Sequence, residues 1–274
     1  MGERRCPAQI ISNGFMKWSA WGVVINIMLM EVTSGRGNAR NVRAADHNIS
    51  GRKWSMGSIE EEEDRMFAEL RLDNPDIIDD GVVSEEDYLS AKYKIMYVLK
   101  EVNGGKSWSL REFVRNGGRP QTWDNIARWT EAILDLDVER PWSYWEKDTE
   151  ARRKKILKLI CAVNVKKTSG GHTSHADEIY QAALDNSAIL QKQLSLYNPD
   201  IIICCGTEKA FVDACFKNQE PDWKMTLRGI WYFVNNGRIV ISFAHPEARV
   251  KDCFLHYALV DAIREIRLEG IEES

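Results

Sequence analysis

From residue 58 onward the apolar positions fall into two rhythms, helical stripes and short unbroken runs. Ser58 is followed three residues on by Glu61, and Ile59, Met66, Phe67 and Leu70 keep i, i+3/i+4 spacing. This predicts a capped amphipathic helix with Glu60 to Asp64 at the end where the dipole favours acids. Pro75 closes it, Asp79-Asp80-Gly81 marks a turn, and a second short helix is expected from Ser84 to Ala91. Ile95 to Leu99 is an apolar run of strand length that enters a polar, glycine-containing loop and then a helix through Phe113, stopped by Asn116-Gly117-Gly118-Arg119-Pro120. Helical spacing returns at Trp123, Ile126, Ala127, Thr130 and Ile133, where tryptophan is expected mostly to pack. The apolar stretch Ile156 to Val165 leads into a Thr168-Ser169-Gly170-Gly171 loop, which belongs beside the first loop if the two strands are parallel neighbours. One long helix is expected from Ala176 to Tyr197, then a strand buried on both faces from Asp200 to Gly206 and a helix from Glu208 to Phe216. Asn235-Asn236-Gly237 reads as a hairpin turn before the last strand, Arg238 to Phe243, and a C-terminal helix is expected from Phe254 to Leu268. Such alternation predicts an α/β fold, a three-layer α/β/α sandwich around a mainly parallel sheet of four to five strands.

Composition adds bounds. With 274 residues, 44% apolar side chains and ten tryptophans, the chain can bury one sizeable core. The six cysteines form no C-x-x-C pair, which argues against a zinc ribbon or closely spaced iron–sulfur thiolates and fits reduced thiols in a cytosol. Cys204 and Cys205, on a strand, point to opposite faces. The net charge of −4 is unevenly spread: +5 over residues 1–55, −11 over 56–90 and +2 over the remainder, so charge alone neither favours nor excludes nucleic acid. Residues 1–55 read as a disordered or weakly ordered basic arm, rich in breakers, with 56–274 as the domain proper and Met56 a candidate start. Within the arm, the thirteen residues Trp18 to Met30 are too few to span a bilayer and no small-residue cleavage site follows them.

The candidate chemistry gathers at strand ends, where open α/β sheets place ligands. Gly105-Lys106-Ser107 matches the end of a P-loop, but Lys100 stands at its first glycine position and no acidic residue ends the strand at Cys204-Cys205-Gly206. His172 and His175 lack an adjacent acid or cysteine and read as part of a polar loop. Four other pieces fall in order: KEVNG after the first strand, AVNVKK on the second, NPDIIICCG on the third and AHPEAR after the last.

Together these pieces resemble the motifs of the uracil-DNA glycosylase superfamily over most of residues 94–268. The resemblance implies Glu101 as the motif acid, Asn164 as the asparagine that reads the base, His245 as the leaving-group histidine and Phe113 as the stacking aromatic, with Val102 beside the base. Either Glu101 or Asn103 would handle the water, since a carboxylate can accept a proton and an amide can only position one. Arg249, Lys166, Lys167 and the Gly104 backbone are the expected DNA contacts. The sequence departs from the family at Lys100, Asn103 and Glu247, and it lacks the cysteine quartet of an iron–sulfur branch. The implied activity is monofunctional DNA base excision by a cytosolic monomer with no cofactor and no membrane association, leaving an abasic site. A catalytically inactive nucleic-acid or nucleotide-binding module on the same fold is the competing reading. As substrate, uracil competes with a bulkier pyrimidine such as the hydroxymethylated or glucosylated cytosines of phage DNA, which would make the protein an anti-phage defence enzyme. The latter rests on an insert from Asn116 to Lys155 with Trp123, Trp129, Trp142 and Trp145 and the polar Asp124, Asn125, Arg128 and Arg140, part of which would line the pocket.

Overall fold

The computed structural model describes residues 57–171, 174–217 and 219–272, with side chains to Arg267. The expectations for residues 1–55, for a start at Met56 and for His172 fall outside these residues.

Ser58 accepts from the Glu61 backbone and Glu61 returns to Ser58, so the capping box forms and opens helix α1, Ile59–Asp73. Strand β1, Gly81–Val82, and helix α2, Glu85–Ser90, follow. The apolar run becomes strand β2 at Ile95–Leu99, all five residues buried. Helices α3 (Leu110–Arg115), α4 (Pro120–Leu134), α5 (Trp142–Trp145) and α6 (Thr149–Ile156) lead to strand β3, Ile160–Asn164. The helix expected over residues 176–197 is two, α7 (Ala176–Asp185) and α8 (Ser187–Tyr197). The break falls at Asn186, whose amide donates to the Val165 carbonyl at 3.0 Å and ties the corner to the end of β3. Strand β4 (Ile201–Cys205), helix α9 (Glu208–Cys215), strands β5 (Lys224–Met225), β6 (Trp231–Asn235) and β7 (Arg238–Phe243), and helix α10 (Asp252–Glu272) complete the order. Asn236 and Gly237, both at positive φ, make the β6–β7 hairpin.

Among the described residues the strands form one sheet in the order β1-β3-β2-β4-β7-β6-β5. Its four central strands are parallel, while β1 and the β6–β5 pair run antiparallel at the edges. Seven strands therefore replace the expected four to five, and the sheet is mixed. The additions are edge pieces, two of them only two residues long, which no apolar run announces.

Strand alternation divides the core. Ile95, Tyr97, Ile203 and Ile241 join Trp123, Ile126, Trp129 and Leu259 in one apolar cluster; Met96, Val98, Ile202 and Cys204 join Ile179, Leu190 and Phe211 in another. Cys205 belongs to the first cluster and Cys204 to the second, as alternation requires. The chain moves from β2 to β3 in one direction and back across β2 to β4 in the other, so right-handed crossovers place their helices on opposite faces. The reversal leaves a crevice at the carboxyl end of β2, between its two parallel neighbours.

Candidate active site

A cleft of about 710 Å³ opens at that end of the sheet. The loop after β2 supplies Lys100, Glu101, Val102, Asn103 and Gly104; β3 supplies Asn164; the loop after β7 supplies His245 and Glu247; Phe113, Trp108 and Trp123 add aromatic wall. Of the residues expected from sequence, the structure thus brings together Glu101, Val102, Asn103, Gly104, Phe113, Asn164 and His245.

The loop after β2 and the loop after β3 lie side by side, as their parallel strands require. Gly170 donates to the Val102 carbonyl at 2.9 Å, Gly104 donates to Gly170 at 3.3 Å, and Asn103 bridges Gly170. Gly104 and Gly105 take positive φ, which lets the chain turn at once into the Trp108–Phe113 segment. At Gly170 a side chain would overlap the Glu101 carboxyl, so the missing Cβ is what lets that acid lie between the loops.

Glu101 is fixed from both sides: Lys166 Nζ donates to Oε2 at 2.6 Å and Ser174 Oγ to Oε1 at 2.7 Å. Asn164, 3% exposed, donates its backbone N–H to Asp80 Oδ2 at 2.7 Å, and among the described residues nothing accepts from its side-chain amide. Phe113 remains 39% exposed and meets Trp108 edge-on with ring centroids 5.5 Å apart. An exposed aromatic face of this kind can stack on a planar ligand.

His245 Nδ1 accepts the Glu247 backbone N–H at 3.1 Å. That bond requires Nδ1 to be unprotonated, so the neutral ring carries its proton on Nε2. Burial pulls the imidazole below its ordinary range; Glu247 opposes this, while Lys100 and Arg119 reinforce it. The result is a neutral donor. Glu247 itself is held by Arg119 and Thr122 from the start of α4, and Asn125 donates to the Pro246 carbonyl at 2.9 Å. Arg128 completes the clamp with bonds to Asn125 Oδ1 at 3.0 Å and Asp252 Oδ2 at 3.1 Å.

Three of the expected DNA contacts do not line the cleft. Lys167 is 2% exposed, with Nζ on Asp80 at 2.8 Å and Gln193 at 2.7 Å, so its assignment to a DNA phosphate is corrected: it is a buried ion-pair partner. Lys166 stands beside the cleft but is engaged by Glu101. Arg249 follows the His245 turn without lining the cleft. In the insert, only Trp123 of the four tryptophans lines it; Trp129 and Trp145 are core, and Trp142 packs edge-on to His256. Asn125 and Arg128 are buried in the clamp, Asp124 pairs with Arg153, and Arg140 pairs with Asp135 at 2.6 Å.

Lys100, Trp108, Arg119, Thr122, Ser174 and Glu247 are lining residues that the sequence did not mark for a role. Only Lys100 and Glu247 had a signal, as departures inside a motif. Among the described residues no group of three or more His, Cys, Asp or Glu is placed to hold a metal ion, and no helix is long and apolar enough to cross a membrane. Compared with protein-family models and with curated proteins, the chain finds no match.

Proposed function

We propose that this protein is a monofunctional DNA glycosylase that hydrolyses the N-glycosidic bond of a flipped pyrimidine nucleotide, on a three-layer sandwich like that of the uracil-DNA glycosylases. The observation that carries this reading is the meeting of Glu101, Asn164 and His245, from the carboxyl ends of three parallel strands, in one aromatic-walled cleft. A base must leave the duplex to reach such a cleft, and stacking on Phe113 offsets part of that cost. The Asn164 amide, offering one acceptor and two donors, pairs with the edge of the base. As the C1′–N bond breaks, positive charge gathers on the sugar and negative charge on the base. The carboxylate of Glu101 faces the first and the Nε2–H of His245 meets the second. Water adds to C1′ and yields its proton to Glu101 or to solvent, with Asn103 able to orient it. Since both Glu101 oxygens already accept hydrogen bonds, its larger contribution is electrostatic.

A second reading concerns the base. The cleft volume exceeds what one pyrimidine fills, and Trp108, Phe113 and Trp123 with the Arg119–Thr122–Glu247 cluster offer the aromatic faces and polar groups that bind sugars. A hydroxymethylated or glucosylated cytosine would use them.

The experiment incubates pure protein with uracil-containing duplex, unmodified DNA and glucosylated phage DNA, then treats with alkali to reveal abasic sites. Abasic sites in the first or third support the glycosylase, and Glu101→Gln and His245→Ala are each expected to lower release by about 10²-fold or more with DNA affinity nearly unchanged. Release from uracil alone removes the modified-base reading. No abasic sites in any arm overturns the enzyme and leaves a binding module.

A further inference from the structure

Two cations at the cleft are matched. Arg119 is paired with Glu247, and Lys166 is paired with Glu101. Lys100, on the cleft wall at the end of β2, has no carboxylate partner among the described residues. Its side chain leans across the end of the sheet. A Cβ built on Gly206, the residue after β4, would lie 3.6 Å from Lys100 Cε and 4.0 Å from its Nζ, and nothing else comes within 4 Å of that point. Since β4 stands between β2 and β7, the side chain is directed toward the strand end that carries His245. The ammonium is close enough to His245 to be among the charges that disfavour its protonation.

We propose that Lys100 is a catalytic residue of this cleft, its ammonium receiving the negative charge of the departing base. The inference rests on the glycosylase reading and adds to it a charge that the neutral histidine does not carry. As the C1′–N bond breaks, its electron pair leaves on the base, water adds to C1′ and yields its proton to Glu101 or to solvent, and the base anion later takes a proton from solvent. His245, neutral and donating from Nε2, contributes a hydrogen bond but no net charge. A full positive charge in a partly buried cleft acts on the anion over several ångströms and has little effect on the uncharged base before bond cleavage. Lys100 is thus selective for the transition state.

The test follows the full chain through single turnovers on duplexes carrying uracil or 5-fluorouracil, the latter being the better leaving group because its ring nitrogen is more acidic. Lys100→Met is expected to slow uracil release by about 10²-fold and 5-fluorouracil release by far less, while Lys100→Arg, which keeps the charge, recovers most of the uracil rate. Equal slowing of both bases overturns the proposal and leaves the glycosylase reading standing. So does a loss confined to DNA affinity with a shallower salt dependence, the mark of a phosphate contact. If the wild type releases neither base, uracil is not its substrate, and 5-nitrouracil decides the role of Lys100, since its ionisation is visible in its absorption. Tighter binding of that anion to the wild type than to Lys100→Met upholds a charge-receiving cleft; equal binding overturns it.

Discussion

A backbone N–H aimed at His245 Nδ1 fixes which ring nitrogen faces the cleft, and so decides what the residue can do. Protonation would place an N–H against that N–H and cost the bond that shapes the turn. The direction of the titration follows. His245 binds its proton less readily folded than unfolded, because of burial first and then of Lys100 and Arg119. His256 behaves alike, pushed down to about 4 by burial beside Arg128 and Arg152. For both, the unfolded chain takes up protons first, so they leave stability unchanged above the ordinary histidine range and lower it as pH falls below that range, for His256 down to about 4. The thermal midpoint is therefore expected to drop across that window, and His256→Phe should flatten the drop; a drop equally steep after that substitution would contradict the buried, neutral assignment. By NMR, His245 should titrate below 6.5 with Nδ1 unprotonated. At this scale the sequence was legible where a residue ends a strand: Glu101, Asn164 and His245 inherit their places from apolar runs of five or six residues. Lys167 was misread because the same logic stops one residue too soon. Past the strand its side chain turns back under Asp80, and only the tertiary fold puts Asp80 there.

Two elements are tied to the site by buried polar groups. The segment before β1 contributes Asp80, which takes the Asn164 N–H and the Lys167 ammonium together, with Gln193 of α8 closing the set. Burial works against the charge on Lys167, and Asp80 supports it. Breaking such a pair leaves an uncompensated charge, so Asp80→Ala is expected to cost about 3–5 kcal/mol in denaturant unfolding, while Asp80→Leu with Lys167→Met costs clearly less. A single-variant loss under about 1 kcal/mol would show that water reaches Lys167. The other element is α4, which holds the His245 turn through Thr122, Asn125 and Arg128. Its tryptophan stripe was readable as packing, because a period of 3.6 speaks of a buried face. Its polar residues were not, because satisfying a distant carbonyl leaves no mark on local spacing. The split of the 176–197 helix has the same origin: Asn186 keeps the helical rhythm and breaks it only through its bond to Val165.

For the whole molecule, the apolar clusters on the two faces of the sheet run, among the described residues, from Ile59 to Ile266, and a chain shortened to residues 56–274 is expected to unfold in one cooperative transition at the full chain's midpoint. A lower midpoint or a broadened transition would show that residues 1–55 contribute to this domain. The α/β alternation was legible because parallel strands buried on both faces read as unbroken apolar runs, whereas strands of two residues at an edge carry no such signature. The strand order has a further consequence, in time. Ile95 pairs with Ile160 on one side and Ile201 on the other, and β4 in turn waits for Ile239. Long segments must be closed before any of these contacts is gained, which makes assembly slow for a chain of this size. During synthesis, a chain halted before Arg238 presents the bare edge of Ile201–Cys205, an apolar strand with unpaired amides that invites association with other chains. The same late strand delivers His245, so the molecule finishes its sheet and its cleft in a single closing step.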